Sequence, residues 1–447
     1  MTNILVDTNK IVGKIKPMHA VGQPPISGIS TEYFHYLKDA NIPYSRLHDV
    51  GGVFGANMFV DIPNIFRDFE ANPFDENNYD FTFTDIIIKG LVENDCEPIF
   101  RLGVTIENYV HIKAYRIFPP KDYIKWAIIC EHIIRHYNEG WANGFKYNIK
   151  YWEIWNEPDN SGDLKENMMW QGSMEDYFNL YRITSKRLRL CFGNSIKIGG
   201  YASSGFYFVN DDMLNGAIAM GLKSIEISKW QQRTLYFKEF FEKFIQMVVK
   251  EKLPLDFFSH HSYAGVVDTV EREKYVEKTL EEAGLLSVEI HMNEWNTNAR
   301  IEELGKSIAA ANYVAFMIGM HEEKTALMCF YDARMTSSAY GGLFNTIYKT
   351  PYCSYFGFKA FGNLYKMGNQ IETKCDNKNV YAISATGDGK QGVLISNIGE
   401  DAEIKTNLTD GFKAYLINQD NFMTEIDINV KEFNLKQYDV LYLEKDI

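Results

Sequence analysis

Between Lys14 and Asp332, short β-prone runs alternate with amphipathic helical stretches eight times. That alternation leaves few folds open. Strands separated by helices pair in parallel, and a parallel sheet needs cover on its outer face. Eight such units close into an α/β fold of the (β/α)₈ barrel (TIM barrel) class. The expected strands are Lys14–Ala20, Tyr44–His48, Glu97–Leu102, Lys150–Trp155, Ile196–Tyr201, Leu255–His261, Val288–Asn293 and Ala326–Asp332.

The intervening segments carry helix signals. Tyr123, Trp126, Ile129, Cys130 and Ile133 repeat at three to four residues, a stripe suited to packing on a barrel. Ser173-Met174-Glu175-Asp176 reads as a capping box, and Pro351 suits a first helical turn. After about Met367 the pattern changes to short strands broken by Gly-containing turns such as Thr386-Gly387-Asp388-Gly389. We therefore expect a catalytic barrel over residues 13–366 and a small accessory β-sandwich over 367–447, joined by the strand-like residues 1–12.

Two of the expected strands end alike. Tyr151-Trp152-Glu153-Ile154-Trp155 alternates with the period of a strand and runs into Asn156-Glu157-Pro158, where Pro158 has no N–H to continue a ladder. Val288-Glu289-Ile290-His291-Met292 runs into Asn293-Glu294-Trp295. One glutamate at a strand end is ordinarily a solvated or salt-bridged loop residue. Two of them, each after Asn and beside Trp, call for a shared cause. Cleavage of a glycosidic bond requires such a pair: one carboxyl protonates the leaving oxygen and the other attacks or activates water at the anomeric carbon.

Long connections follow several strands: Gly51–Asn77, Ile106–Pro119, Asp159–Gly172, Gly205–Arg233 and Arg334–Thr350. In a barrel they emerge on the catalytic face. Gly205–Arg233 carries Phe206, Tyr207, Phe208 and Trp230, read as loop anchors ahead of walls for a sugar.

Charge narrows the partners. With 59 acidic against 46 basic residues the chain carries −13, which opposes phosphate backbones and anionic membrane surfaces. Neither nucleic acid nor membrane is an expected partner. Met1–Pro17 contains no apolar run of signal-peptide length, so the expectation is a soluble protein, cytoplasmic as the chain stands and secreted or periplasmic if a signal segment was removed. The six cysteines lack C-x-x-C spacing and read as reduced, buried thiols. His260-His261, His19 and His48 raise the thought of a metal hydrolase, but H-x-H and H-E-x-x-H spacings are absent, and no metal or other cofactor is expected.

The motifs His19-Ala20-Val21-Gly22, Arg46-Leu47-His48-Asp49, Trp155-Asn156-Glu157-Pro158, His261-Ser262-Tyr263 and Asn293-Glu294 together resemble the clan A glycoside hydrolases. The resemblance is strongest to glycoside hydrolase family 39, which includes β-xylosidases and α-L-iduronidases. It implies a retaining hydrolase acting by double displacement on an oligosaccharide or polysaccharide, with Glu157 as general acid/base and Glu294 as nucleophile. It also implies that Asn156 bonds the sugar 2-hydroxyl, that Tyr263 contacts the nucleophile, and that His19, Arg46, His48, His261 and Asp332 complete the substrate-binding site.

The chain departs from the xylosidase pattern at Asp332-Ala333-Arg334, where an acidic pair is expected, and at Phe100-Arg101-Leu102-Gly103, where a carboxylate is expected. Arg101 and Arg334 therefore motivate an alternative, a uronic or otherwise acidic sugar held by an arginine fork. That alternative fails if both arginines are engaged in structural ion pairs. A non-catalytic carbohydrate-binding barrel is the remaining alternative, and the presence of both glutamates places it behind catalysis.

Overall fold

The fold is that of a computed structural model, which describes residues 1–49, 59–106, 116–207, 224–297, 301–336, 338 and 340–447, without the side chains of 224–227. Phe208 and parts of four of the long connections lie outside the described residues.

Strand β1 (Thr2–Lys14) precedes the barrel. The barrel strands are β2 (Ala20–Gly22), β3 (Tyr44–Leu47), β4 (Glu97–Leu102), β5 (Tyr151–Ile154), β6 (Lys197–Ser203), β7 (Phe257–Ser262), β8 (Glu289–Trp295) and β9 (Thr325–Tyr331). They close in sequence order, all parallel, with β9 pairing back onto β2. A helix follows each: α1 (His35–Asp39), α2 (Thr82–Glu93), α3 (Tyr123–Asn138), α4 (Met174–Phe192), α5 (Ser224–Glu251), α6 (Val266–Glu282), α7 (Ser307–His321) and α8 (Cys353–Met367). The (β/α)₈ reading holds.

Local chemistry sets the boundaries. Ser173 Oγ accepts from the Asp176 N–H while the Asp176 carboxylate accepts from the Ser173 N–H, closing the capping box of α4. The first barrel strand is not Lys14–Ala20. Lys14 is the last residue of β1, pairing with Asn369, and Pro17, with no N–H, separates β1 from β2. Pro351 does not open α8 either: it bridges to Phe344, and the helix begins at Cys353 after the extended Tyr352.

Residues after α8 form β10 (Asn369–Cys375), β11 (Val380–Gly387), β12 (Lys390–Asn397), β13 (Ala402–Thr406), β14 (Lys413–Asn418), β15 (Asn421–Ile426), β16 (Glu432–Leu435) and β17 (Val440–Asp446). With β1 they make one nine-stranded sheet in the order β15-β14-β17-β12-β11-β10-β1-β13-β16. Its halves share a core: Ile4, Val6, Ile404 and Phe433 from one end meet Val393, Ile395, Leu441 and Leu443 from the other. The alternate residues Leu394, Val440 and Tyr442 face the barrel's helices. Strand periodicity thus builds a sandwich on one face and a dock for α7 and α8 on the other.

All six cysteines are free, and Cys96, Cys130, Cys329 and Cys353 are buried. Among the described residues no helix is long and apolar enough to cross a membrane.

Candidate active site

Glu157 and Glu294 lie together at the barrel's C-terminal mouth. One oxygen of each carboxylate and a ring nitrogen of His261 fall within 4.8 Å of one another. Glu294 is the sixth residue of β8, whereas Glu157 stands three residues past β5. The chain reaches Glu157 through left-handed backbone at Trp155 (φ 73°) and at Glu157 itself (φ 45°), conformations that side chains larger than glycine rarely adopt. The turn is pinned across the barrel: the Trp155 N–H donates to the Leu102 carbonyl, and the Glu157 N–H to those of Tyr201 and Ala202.

Arg46 organises the floor beneath the pair. Its Nε donates to Glu153 Oε2 (2.7 Å), Nη1 to Glu294 Oε1 (2.7 Å) and Nη2 to Asn156 Oδ1 (2.6 Å). A buried guanidinium is tolerable only with compensating carboxylates, and Glu153 and Glu294 supply them. Glu153 is itself held by Ser259 Oγ (2.6 Å) and by the Asn293 side-chain amide. Asn156 is thereby fixed in orientation, its amide nitrogen meeting, among the described residues, the Met169 sulfur at 3.7 Å.

The two carboxyls have different surroundings. Burial pushes the Glu157 carboxyl up to about 7, against the pull of Asn160, Arg233 and Arg46. Its Oε1 faces His261 Nδ1 at 2.7 Å, and its Oε2 accepts from Asn160 Nδ2 at 3.0 Å. Glu294 is raised by burial too, but His261, Arg46 and the Tyr263 hydroxyl draw it back toward the anion. Tyr263 donates to Glu294 Oε2 at 2.7 Å. Two strong donors at Glu294 favour a carboxylate; the environment of Glu157 favours a proton.

Burial lowers His261 to about 4, so its imidazole is neutral at physiological pH. Nδ1 stands 2.7 Å from Glu157 and 3.5 Å from Glu294, while Nε2 is buried without a hydrogen-bond partner among the described residues. With acceptors on one side only, the favoured tautomer carries its proton on Nδ1. His48 Nε2 lies 3.3 Å from Asp49 and 3.7 Å from Glu294, and burial holds His48 well below the usual histidine range.

Two expected binding residues are placed elsewhere. His19 packs its ring on Phe361 and Tyr365 and contacts the Asn41 carbonyl through Nε2 (2.8 Å), so it belongs to the contact between α8 and the barrel. Asp332 is fully buried, with both oxygens engaged by Arg334 and Ser338, which fixes the loop after β9. The arginines expected to favour an acidic sugar are likewise engaged: Arg101 pairs with Asp61 (2.7 Å) and Arg334 with Asp332 (2.6 Å). This removes the basis of the uronide alternative.

Sequence reasoning missed Glu153 and Asn160. A signal for Glu153 existed, because it shares a strand face with Tyr151 and must point into the barrel, where a charge needs a cation. Asn160 had none, since only the turn after Pro158 brings it back to Glu157. In the loop after β6, Phe206 is buried against Phe241 and Tyr275, an anchor; Trp230 belongs not to that loop but to α5, where it is partly exposed and meets the Tyr207 ring edge-on.

Glu157, His261 and Glu294 are close enough to surround a cation. The guanidinium already on Glu294 opposes one, and a neutral Glu157 is a poor ligand.

The sequence profile described as glycosyl hydrolases family 39 matches residues 2–286. The chain belongs to that family. This family 39 chain is 20% identical over 371 residues to a β-xylosidase of Geobacillus stearothermophilus, covering 74% of the chain and 66% of the relative. It is 23% identical over 394 residues to a β-xylosidase of Caldicellulosiruptor saccharolyticus, covering 80% and 71%. About a third of each relative's length therefore lies outside the match. Among solved structures, a family 39 β-xylosidase from Caulobacter crescentus superposes with a TM-score of 0.71 at 15% identity, covering 100% of both chains. A glucosidase from Croceicoccus marinus gives 0.76 at 15% identity, covering 99% and 98%.

Proposed function

We propose that this chain is a retaining, β-xylosidase-like glycoside hydrolase in which Glu294 is the nucleophile and Glu157 the general acid/base. The observation that carries the reading is the approach of the two carboxylates to within 4.8 Å. A retaining pair sits about 5–5.5 Å apart, and an inverting pair needs roughly 6.5 Å or more to admit water.

In the first step the Glu294 carboxylate attacks the anomeric carbon while Glu157 gives its proton to the departing glycosidic oxygen, leaving a glycosyl ester on Glu294. Water then attacks the same carbon, the Glu157 carboxylate takes its proton, and Glu294 leaves. His261 steadies Glu157 through Nδ1, and Arg46 and Tyr263 keep Glu294 ionised between turnovers. Asn156, locked by Arg46, offers its amide N–H to the sugar 2-hydroxyl, a bond that strengthens as positive charge grows on the ring. His48 lines the nucleophile's side of the pocket.

The xyloside preference rests on the named relatives and on the engagement of Arg101 and Arg334 in ion pairs. The test is a panel of aryl β-pentosides, β-hexosides and uronides, with the anomer first released followed by proton NMR. Faster cleavage of the xyloside with retained configuration is expected; an inverted product would remove the double displacement, and a preference for uronides would remove the xyloside reading.

A further inference from the structure

We propose that Arg233 is a positioning residue for Glu157, acting through the carbonyl and side chain of Asn160. This rests on the assignment of Glu157 as the acid. Arg233 belongs to α5, outside the barrel strands, and its Nε and Nη2 both donate to the Asn160 carbonyl, at 3.0 and 2.7 Å. Asn160 in turn donates Nδ2 to Glu157 Oε2, and its N–H to the Glu157 carbonyl, each at 3.0 Å. The guanidinium stacks over Trp230 (5.4 Å) and Phe237 (5.8 Å) on its own helix, which holds its fork in plane. Among the described residues Arg233 has no carboxylate within ion-pair distance, so its charge is not cancelled beside the acid.

Two things follow for the site. The two-pronged bond fixes the turn that returns Asn160 to Glu157, so the carboxyl is aimed by an element remote in sequence. The unpaired positive charge also favours the anion of Glu157. The other titratable or charged groups facing Glu157 are His261 from β7, Arg46 from β3, Glu294 from β8, Asp159 from its own turn, and Tyr207 and Tyr263 from the loops after β6 and β7. Arg46 shares its charge with Glu153 and Glu294, whereas Arg233 has no carboxylate among the described residues to share its own with.

The experiment compares wild type with Arg233→Met, Arg233→Lys and Glu157→Gln across pH, on a xyloside with a poor leaving group and on one with an activated leaving group. In Arg233→Met the alkaline limb of kcat/KM should move up by about half a pH unit or more, because the acid loses stabilisation of its anion. kcat should fall about tenfold with the poor leaving group and less than about threefold with the activated one. Arg233→Lys, keeping charge without the fork, should restore part of the limb position. An unmoved limb in Arg233→Met, or equal losses on both substrates, would overturn the proposal. If Arg233→Met does not fold, Arg233→Gln removes the same charge while keeping a polar side chain and must shift the limb in the same direction; an unmoved limb there overturns the proposal equally. Glu157→Gln separates the two readings: if it still cleaves the poor-leaving-group substrate, the acid assignment itself falls, whereas its inactivity beside an unmoved Arg233→Met limb rejects only the role of Arg233.

Discussion

The two ends of the barrel both set glutamates among polar partners and do opposite things with them. At the N-terminal end, Glu289 opens β8 and accepts from the Tyr151 hydroxyl (2.9 Å) and Lys197 (3.2 Å) while facing His291 Nε2 at 3.1 Å. Burial pushes its pKa up, but these partners outweigh burial and hold it at about 2. At the C-terminal end, Glu157 has one neutral amide and one neutral imidazole as direct partners, and burial carries it to about 7. One residue type is thus held as an anion at one end and favoured to keep its proton at the other. What separates them is the number of charge-favouring donors together with burial, since Glu157 is withdrawn from water and Glu289 is only half-buried.

That contrast can be broken most forcefully at Glu294, the proposed nucleophile. Glu294→Ala should lower turnover by about 10⁴-fold or more, with partial recovery in azide as a glycosyl azide forms. Undiminished hydrolysis in the variant would dismiss the assignment. Glu157→Gln should cost about 10²–10⁴-fold on poor leaving groups and far less on activated aryl glycosides, since only the former need a proton. Equal losses would remove the acid role.

The pH profile sharpens the same point. Glu157 must be protonated to act, so kcat/KM should fall as pH rises through about 7. It should also fall in acid as Glu294 gains a proton, with that limb above the ordinary carboxylate range because burial raises Glu294. A flat profile between about pH 6 and 9 would contradict the environment described for Glu157.

Arg46→Met should destabilise the fold by about 3–5 kcal/mol, measured by chemical denaturation, because it leaves Glu153 buried without its cation. Glu289→Gln is the small-effect control from the other end. Its folded pKa lies below the unfolded value, so its stabilisation is present above about pH 4.5 and lost as pH falls toward 2. At neutral pH the variant should lose roughly 1 kcal/mol, discounted for solvent screening of a half-buried carboxyl. Its kcat should be unchanged; a large kcat loss would mean the two ends are not independent.

Much of the fold was legible because strand and helix periods are local properties. The stripe of α3 and the capping box of α4 are written in adjacent residues and reappear in the structure. The first barrel strand was misplaced because Lys14–Ala20 spans the break at Pro17, and pairing partners are what assign the residues on either side of it to the outer sheet or to the barrel. The glutamates at 157 and 294 could be singled out from their shared Asn-Glu context. His19 and Asp332 could not be sorted by the same means, since a motif gives no direction to a side chain, and one points into the helix layer while the other clamps its own loop.

By itself the sequence determined the alternation of strands and helices, the change to a β-rich C-terminal part, and the presence of two carboxyls at strand ends. The tertiary structure alone decided that those carboxyls meet, that Arg46 ties Glu294 to Glu153 and Asn156, and that one acid is left short of charged donors. The reason is physical: periodicity acts over a few residues, whereas a pKa is set by whichever groups the closed barrel brings within a few ångströms, here from strands more than a hundred residues apart.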